Sequence, residues 1–124
     1  RPVGCATAGM ENLIREGNVD VPEIDVDELE RRLSAGATLV DVREPDEYDQ
    51  VRVPGGILVP LQSVPERLDD VPAEGTFFVI CAKGGRSMAA AEFLRAEGRD
   101  AVNVAGGTTA WVDAGLPTES GSPA

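Results

Sequence analysis

Two cysteines and no histidine narrow the chemistry open to these 124 residues. Within the chain there can be no Cys-His or Ser-His dyad, no imidazole metal ligand and no imidazole acid or base. A cysteine that reacts here must be held as a thiolate by its surroundings. The segment Cys81-Ala82-Lys83-Gly84-Gly85-Arg86-Ser87 supplies such surroundings. Its glycine pair permits backbone conformations closed to other residues, so successive N-H groups can turn inward as an anion-binding nest. A helix is expected to start in the same segment, adding the partial positive charge of its N-terminus, and Lys83 and Arg86 add two cations. Such neighbours lower a thiol pKa of about 8.5 by one to several units. Cys81 is therefore the expected nucleophile, with Ala82, Lys83, Gly84, Gly85, Arg86 and Ser87 as the binding loop for an anionic substrate. A cysteine that ends a buried strand is often just a small apolar core residue. Packing alone, however, gives no reason for Lys-Gly-Gly-Arg-Ser to follow it.

Other residues invite smaller claims. Asp41 and Arg43 end a strand on the same side as Cys81, and they either shape the pocket or form a buried ion pair that fixes loops. Trp111 reads as a core plug, and Cys5 as a solvated thiol in a mobile tail rather than a partner for Cys81. The acidic runs Asp25 to Glu30 and Glu44 to Asp49 read as solvated helix faces. No metal site and no cofactor is expected.

The elements that must carry this loop alternate strand and helix. Val21 to Ile24 is a short strand; Asp25 caps a helix, with Glu28 completing a capping box before Leu29 and Leu33, and Gly36 ends it. Thr38 to Val42 is the next strand, Pro45 to Gln50 a short helix with Pro at its start, and Pro54-Gly55-Gly56 a turn. Ile57 to Val59 is a third strand and Leu61 to Leu68 a helix. Thr76 to Ile80 is the most apolar strand and reads as central. Arg86 to Glu97 is a helix ended by Gly98, Ala101 to Val104 a fifth strand, and Thr108 to Ala114 a last helix closed by Gly115 and Pro117. Apolar strands separated by helices predict an α/β fold with a mostly parallel sheet. Ligands of such sheets bind beyond the carboxyl ends of the strands, where Cys81 stands. Residues 1–18 are expected to be a flexible extension, 19–118 the folded domain and 119–124 a frayed tail.

Composition bounds the partners. The chain is the size of one globular domain. A formal charge of -11 repels nucleic-acid phosphates and slows small anions, so an anion site must be a local cluster of donors. No run of 18 apolar residues and no signal-peptide pattern occurs, which predicts neither a membrane association nor export; the expected location is cytoplasmic.

At the Cys81 loop the sequence resembles the rhodanese family, whose active loop places a Cys after a strand, then a glycine-containing turn, then Arg-Ser leading into a helix. Leu39-Val40-Asp41-Val42-Arg43-Glu44 is similar to the family's Asp-Val-Arg segment, Glu47-Tyr48 to the residues that follow it, and Pro54-Gly55 to its Pro-Gly turn. Gly106-Gly107 with Trp111, Gly115 and Pro117 is similar to its closing motif. The likeness covers about residues 21–117. One departure is Val51-Arg52-Val53, where the family commonly has a histidine at the position of Arg52, and this puts local packing in question more than chemistry. The resemblance implies a three-layer, five-stranded parallel sheet with helices on both faces. It also implies a sulfurtransferase that passes sulfane sulfur from a small anionic donor such as thiosulfate to cyanide or a thiol through a Cys81 persulfide.

Two rival readings accompany it. A low-turnover sulfur carrier or regulatory binding module would receive or deliver its persulfide through a partner protein. A cysteine phosphatase or arsenate reductase would also ring a thiolate with amides. That class generally separates Cys from Arg by five residues, against the four from Ala82 to Gly85 here.

Overall fold

A computed structural model describes residues 21–121. The expected extension over residues 1–18, with Cys5, lies outside the described residues, as do the last three of the tail. Five strands, β1 (Glu23–Ile24), β2 (Leu39–Asp41), β3 (Ile57–Leu58), β4 (Thr76–Ile80) and β5 (Asp100–Val104), form one sheet in the order β1-β5-β4-β2-β3. Every pairing is parallel. The step from β2 to β3 goes toward one edge and the step from β4 to β5 toward the other, so the order reverses between β2 and β4 and their carboxyl ends frame a crevice; β4 is central, as its apolar run predicts.

Alternation along β4 decides which face each side chain joins. Phe77, Val79 and Cys81 pack on one side with Ala90, Ala91 and Leu94 of α3 (Gly85–Ala96) and with Val64 of a 3-10 segment, Leu61–Asp70. Phe78 and Ile80 face the opposite side, with Val26 and Leu29 of α1 (Val26–Ser34) and Trp111 of α4 (Gly107–Asp113). Helices thus cover both faces, and two buried clusters sandwich the sheet. The same period of two sends the Cys81 side chain to the α3 side, toward the start of that helix.

Local chemistry accounts for the helix ends. Asp25 accepts the Glu28 N-H at 2.9 Å and starts α1. The reciprocal half of the expected capping box does not form, because the Glu28 carboxylate is taken by Arg31 and Arg32 on the next turn, each at 2.6 Å. Pro45 opens α2 (Pro45–Gln50), whose entry is tied by Glu44 N-H donating to Glu47 Oε1 at 3.0 Å. The helix expected over Leu61 to Leu68 is instead the 3-10 segment, kinked at Arg67. Pro65 inside it has no N-H to continue an α-helical ladder.

The tail departs from expectation. It is held rather than frayed up to Gly121: Arg52 and Glu119 exchange backbone hydrogen bonds at 2.9 and 3.0 Å, and Gly121 N-H donates to Asp49 O at 2.6 Å. The Arg52 guanidinium adds bonds to Tyr48 O and Gly121 O at 3.0 and 2.7 Å and lies 4.6 Å from the centre of the Tyr48 ring. The departure at Arg52 is thus absorbed as a buried cation that pins the tail. Trp111 is a core plug, 3% exposed, and donates from Nε1 to Pro117 O at 2.6 Å.

Candidate active site

Cys81 directly follows β4, and the next four residues carry the chain into α3. Gly84 turns that corner with φ of 109°, a conformation that a β-carbon disfavours, and serves as the N-cap of α3. The turn brings the Gly84 N-H to 3.0 Å from Cys81 Sγ. Ser87, fully buried on the first turn of α3, brings its Oγ to 3.3 Å. Cys81 itself is only 1% exposed. Burial pushes its thiol up, but hydrogen bonds from the Ser87 hydroxyl and from the N-H groups of Ser87, Gly84 and Lys83 outweigh it and hold the pKa below the ordinary thiol value. The thiol therefore ionises more readily than an ordinary cysteine, and it does so through donated hydrogen bonds rather than through a neighbouring base.

The back of the loop explains how its amides come to face inward. Thr108 and Thr109, on the first turn of α4, donate their N-H groups to Cys81 O and Ala82 O at 2.8 and 2.9 Å. With these carbonyls tied to α4, the N-H groups that follow, those of Lys83, Gly84 and Ser87, turn to the sulfur. Gly107 makes this approach possible: a β-carbon there would lie 2.4 Å from Cys81 O and 2.6 Å from Ala82 O. Sequence reasoning placed Gly106-Gly107 only in a closing motif; the function of the pair in packing against the reactive loop appears in three dimensions.

The two expected cations take different roles. Arg86 forms a two-pronged ion pair with Glu47 of α2, at 2.8 and 2.9 Å. The guanidinium drives the Glu47 carboxyl down to about 2, and the carboxylate in turn raises Arg86. Glu47 was expected on a solvated helix face; instead it clamps α2 to the start of α3 while also bonding the Glu44 N-H. The pair places Arg86 as a brace for the loop. Lys83 has no ion-pair partner among the described residues, so its charge is the one the loop offers outward.

Asp41 and Arg43 form a buried ion pair at 2.9 Å, each about 4% exposed or less. Arg43 also donates to Val51 O at 2.8 Å and Glu47 O at 3.3 Å, tying the end of β2 to the end of α2. Arg43 still lines a cavity of about 250 Å³ beside the loop, with Val51, Ala82, Thr108, Thr109, Val112 and Asp113. Asn103 of β5 is a residue that sequence reasoning did not single out. It is 1% exposed and lies 2.5 Å from Ser87 Oγ. A polar residue inside the apolar run Ala101 to Val104 of an interior strand was the available signal, since a buried amide requires partners.

A parallel α/β sheet with a cysteine cradled by amides at a helix start defines a class of thiolate-bearing sites. Residues 25–114 match the Rhodanese-like domain family, and the chain belongs to that family. It is 35% identical over 100 residues to a sulfurtransferase of Allochromatium vinosum, covering 78% of this chain and 94% of that protein. It is 29% identical to a candidate sulfur carrier protein of Bacillus subtilis, covering 77% of this chain but 54% of that longer protein. The crystal structure of a rhodanese-related protein from Thermoplasma volcanium superposes with a TM-score of 0.74 at 34% identity, covering 79% of this chain and 97% of that one.

Proposed function

We propose that this chain moves sulfane sulfur from a small anionic donor such as thiosulfate to cyanide or a thiol. The Cys81 thiolate attacks the outer sulfur of the donor. The S-S bond breaks, sulfite leaves with the bonding electron pair, and Cys81 carries a persulfide. Cyanide or a thiolate then attacks the terminal sulfur and releases the Cys81 thiolate. The observation that carries this reading is the cradled sulfur, with the Gly84 N-H at 3.0 Å and the Ser87 hydroxyl at 3.3 Å. The N-H groups of Gly85 and Arg86, which open α3 and have no partner within the helix, are the donors for the charge on an added sulfur. Lys83 attracts the anionic donor against a net charge of -11. A thiol that must stay reduced between cycles suits a reducing compartment such as the cytoplasm.

Mass spectrometry after incubation with thiosulfate tests the reading. A gain of about 32 Da on Cys81, removed by cyanide with formation of thiocyanate, is expected. An unmodified Cys81 after prolonged incubation would overturn it.

A second reading, the low-turnover carrier or regulatory module, is favoured by the 1% exposure of Cys81 and by the likeness to the Bacillus subtilis protein. Persulfide accepted only from a partner protein, with thiosulfate inert, would select it. Phosphate transfer is disfavoured because Arg86, the cation such chemistry needs, is already neutralised by Glu47.

A further inference from the structure

A chain of polar side chains runs from solvent to the reactive sulfur across three elements. Glu23, exposed on β1, accepts from Asn103 Nδ2 at 2.8 Å. Asn103 Oδ1 lies 2.5 Å from Ser87 Oγ, and Ser87 Oγ lies 3.3 Å from Cys81 Sγ. Asn103 and Ser87 are both buried, so no solvent exchanges with the middle of the chain.

Donor and acceptor counting sets the direction of each bond. An ionised carboxylate only accepts, and the second neighbour of Asn103 Nδ2, Gly84 O at 3.4 Å, also only accepts. The amide nitrogen must therefore face Glu23 and Gly84, and the amide oxygen must face Ser87. That oxygen cannot donate, so the contact at 2.5 Å is a hydrogen bond only when it draws on the single Ser87 hydroxyl proton, the proton that the bond to Cys81 Sγ also needs. The Cys81 thiolate is a second claimant for the same proton. We propose that Glu23 and Asn103 are positioning residues for Cys81: Glu23 orients the Asn103 amide so that its oxygen competes with the Cys81 sulfur for the Ser87 hydroxyl proton.

When Cys81 is a thiol, its S-H donates to Ser87 Oγ and Ser87 donates to Asn103, so every group is satisfied. When Cys81 ionises, Ser87 must turn its proton to the sulfur and leave Asn103 Oδ1 facing a lone pair. The relay thus opposes ionisation, while the Gly84 N-H favours it in both states. The other charges near Cys81 belong to separate arrangements. Lys83 lies in the loop, Arg86 of α3 is clamped by Glu47 of α2, and Asp41 of β2 is paired with Arg43. Resting on the sulfur-transfer reading, the same relay would slow loading more than discharge, because the Cys81 sulfur of a persulfide carries no proton and no longer claims the one on Ser87.

The test is the Cys81 titration followed by thiolate ultraviolet absorbance, in a Cys5→Ser background where Cys81 is the only thiol. Parent, Glu23→Gln, Asn103→Leu and the double variant form a cycle. Glu23→Gln lets the amide turn over, and Asn103→Leu removes the competing oxygen. Each is expected to lower the Cys81 pKa by about half to one unit, the worth of one hydrogen bond redirected to the sulfur. The double variant is expected to fall no further than Asn103→Leu. Asn103→Ala replaces the leucine if the larger side chain disturbs folding. No downward shift in Glu23→Gln overturns the proposal. A Glu23→Gln shift that persists undiminished without Asn103 also overturns it, since the carboxylate would then act through space alone. Absorbance reads ionisation whether or not sulfur is carried. A shift without any persulfide would sink the sulfur-transfer reading alone, and a persulfide without a shift would sink the relay alone.

Discussion

Burial favours the neutral form of a thiol, so a cysteine that is 1% exposed ionises only where donors aimed at its sulfur exceed that penalty. At Cys81 the side-chain donor is Ser87, and its removal should shift the balance back. Ser87→Ala is expected to raise the Cys81 pKa by about half to one unit. A higher pKa means less thiolate at neutral pH, so alkylation there should slow about three- to tenfold while the rate well above the pKa stays near that of the parent. A pH-rate profile of alkylation measures both limbs. Lys83 has no ion-pair partner among the described residues, and on the sulfur-transfer reading it draws the donor in by charge. Lys83→Glu should therefore raise the KM for thiosulfate by about three- to tenfold at low salt, with the gap closing as ionic strength rises. An uncharged thiol acceptor should show no comparable change.

Two contacts between elements hold the loop in shape. The first is the approach of α4 to the loop at Gly107, where an added methyl group would meet Cys81 O at 2.4 Å. Because that contact is to backbone, nothing nearby can swing aside. Gly107→Ala is expected to cost about 2 kcal/mol or more in thermal or denaturant unfolding, and to raise the Cys81 pKa as the loop amides turn from the sulfur. The second is the clamp between Glu47 of α2 and Arg86 of α3, whose side chains are about one-third exposed. Its worth is about 1 kcal/mol after solvent screening. Glu47 has a depressed folded-state pKa of about 2 against an ordinary 4.5, so its contribution is present above pH 4.5 and fades as pH falls toward 2. Glu47→Gln should abolish that part of the acid sensitivity, which unfolding free energies measured from pH 2 to 6 would show. Above pH 5 the same variant should be less stable than the parent.

At the scale of the whole molecule, the sheet fixes where the site stands and the tail closes the edge of the fold around α2. Arg52 is buried and donates to carbonyls from two distant parts of the chain. Arg52→Ala leaves those carbonyls and the Tyr48 ring without their cation. A loss of about 1 to 2 kcal/mol is expected, at roughly 4 to 8 °C per kcal/mol for a domain of this size. Calorimetry checks the shift, and removal of the residues after Pro117 should lower the melting temperature in the same direction. Among the described residues no helix is long and apolar enough to cross a membrane.

Much of this was legible in the order of the residues because it depends on local rules. Apolar strand runs, a capping Asp25, Pro45 at a helix start and glycines where φ must be positive are decided within a few positions, and they defined a parallel α/β sheet with Cys81 at the end of its central strand. The alternation of β4 even determined that Cys81 would share a face with Phe77 and Val79. What the tertiary structure alone decided is the pairing of groups far apart in the chain. Arg86 reads in the sequence as a cation for the substrate, and only the fold sets Glu47, 39 residues earlier, against it. Asn103 gave no local sign of meeting Ser87, and Arg52 none of meeting Gly121. Local sequence limits the conformations of a backbone, but a polar side chain takes its role from whichever partner packing brings within hydrogen-bond reach, and that is a property of the folded whole.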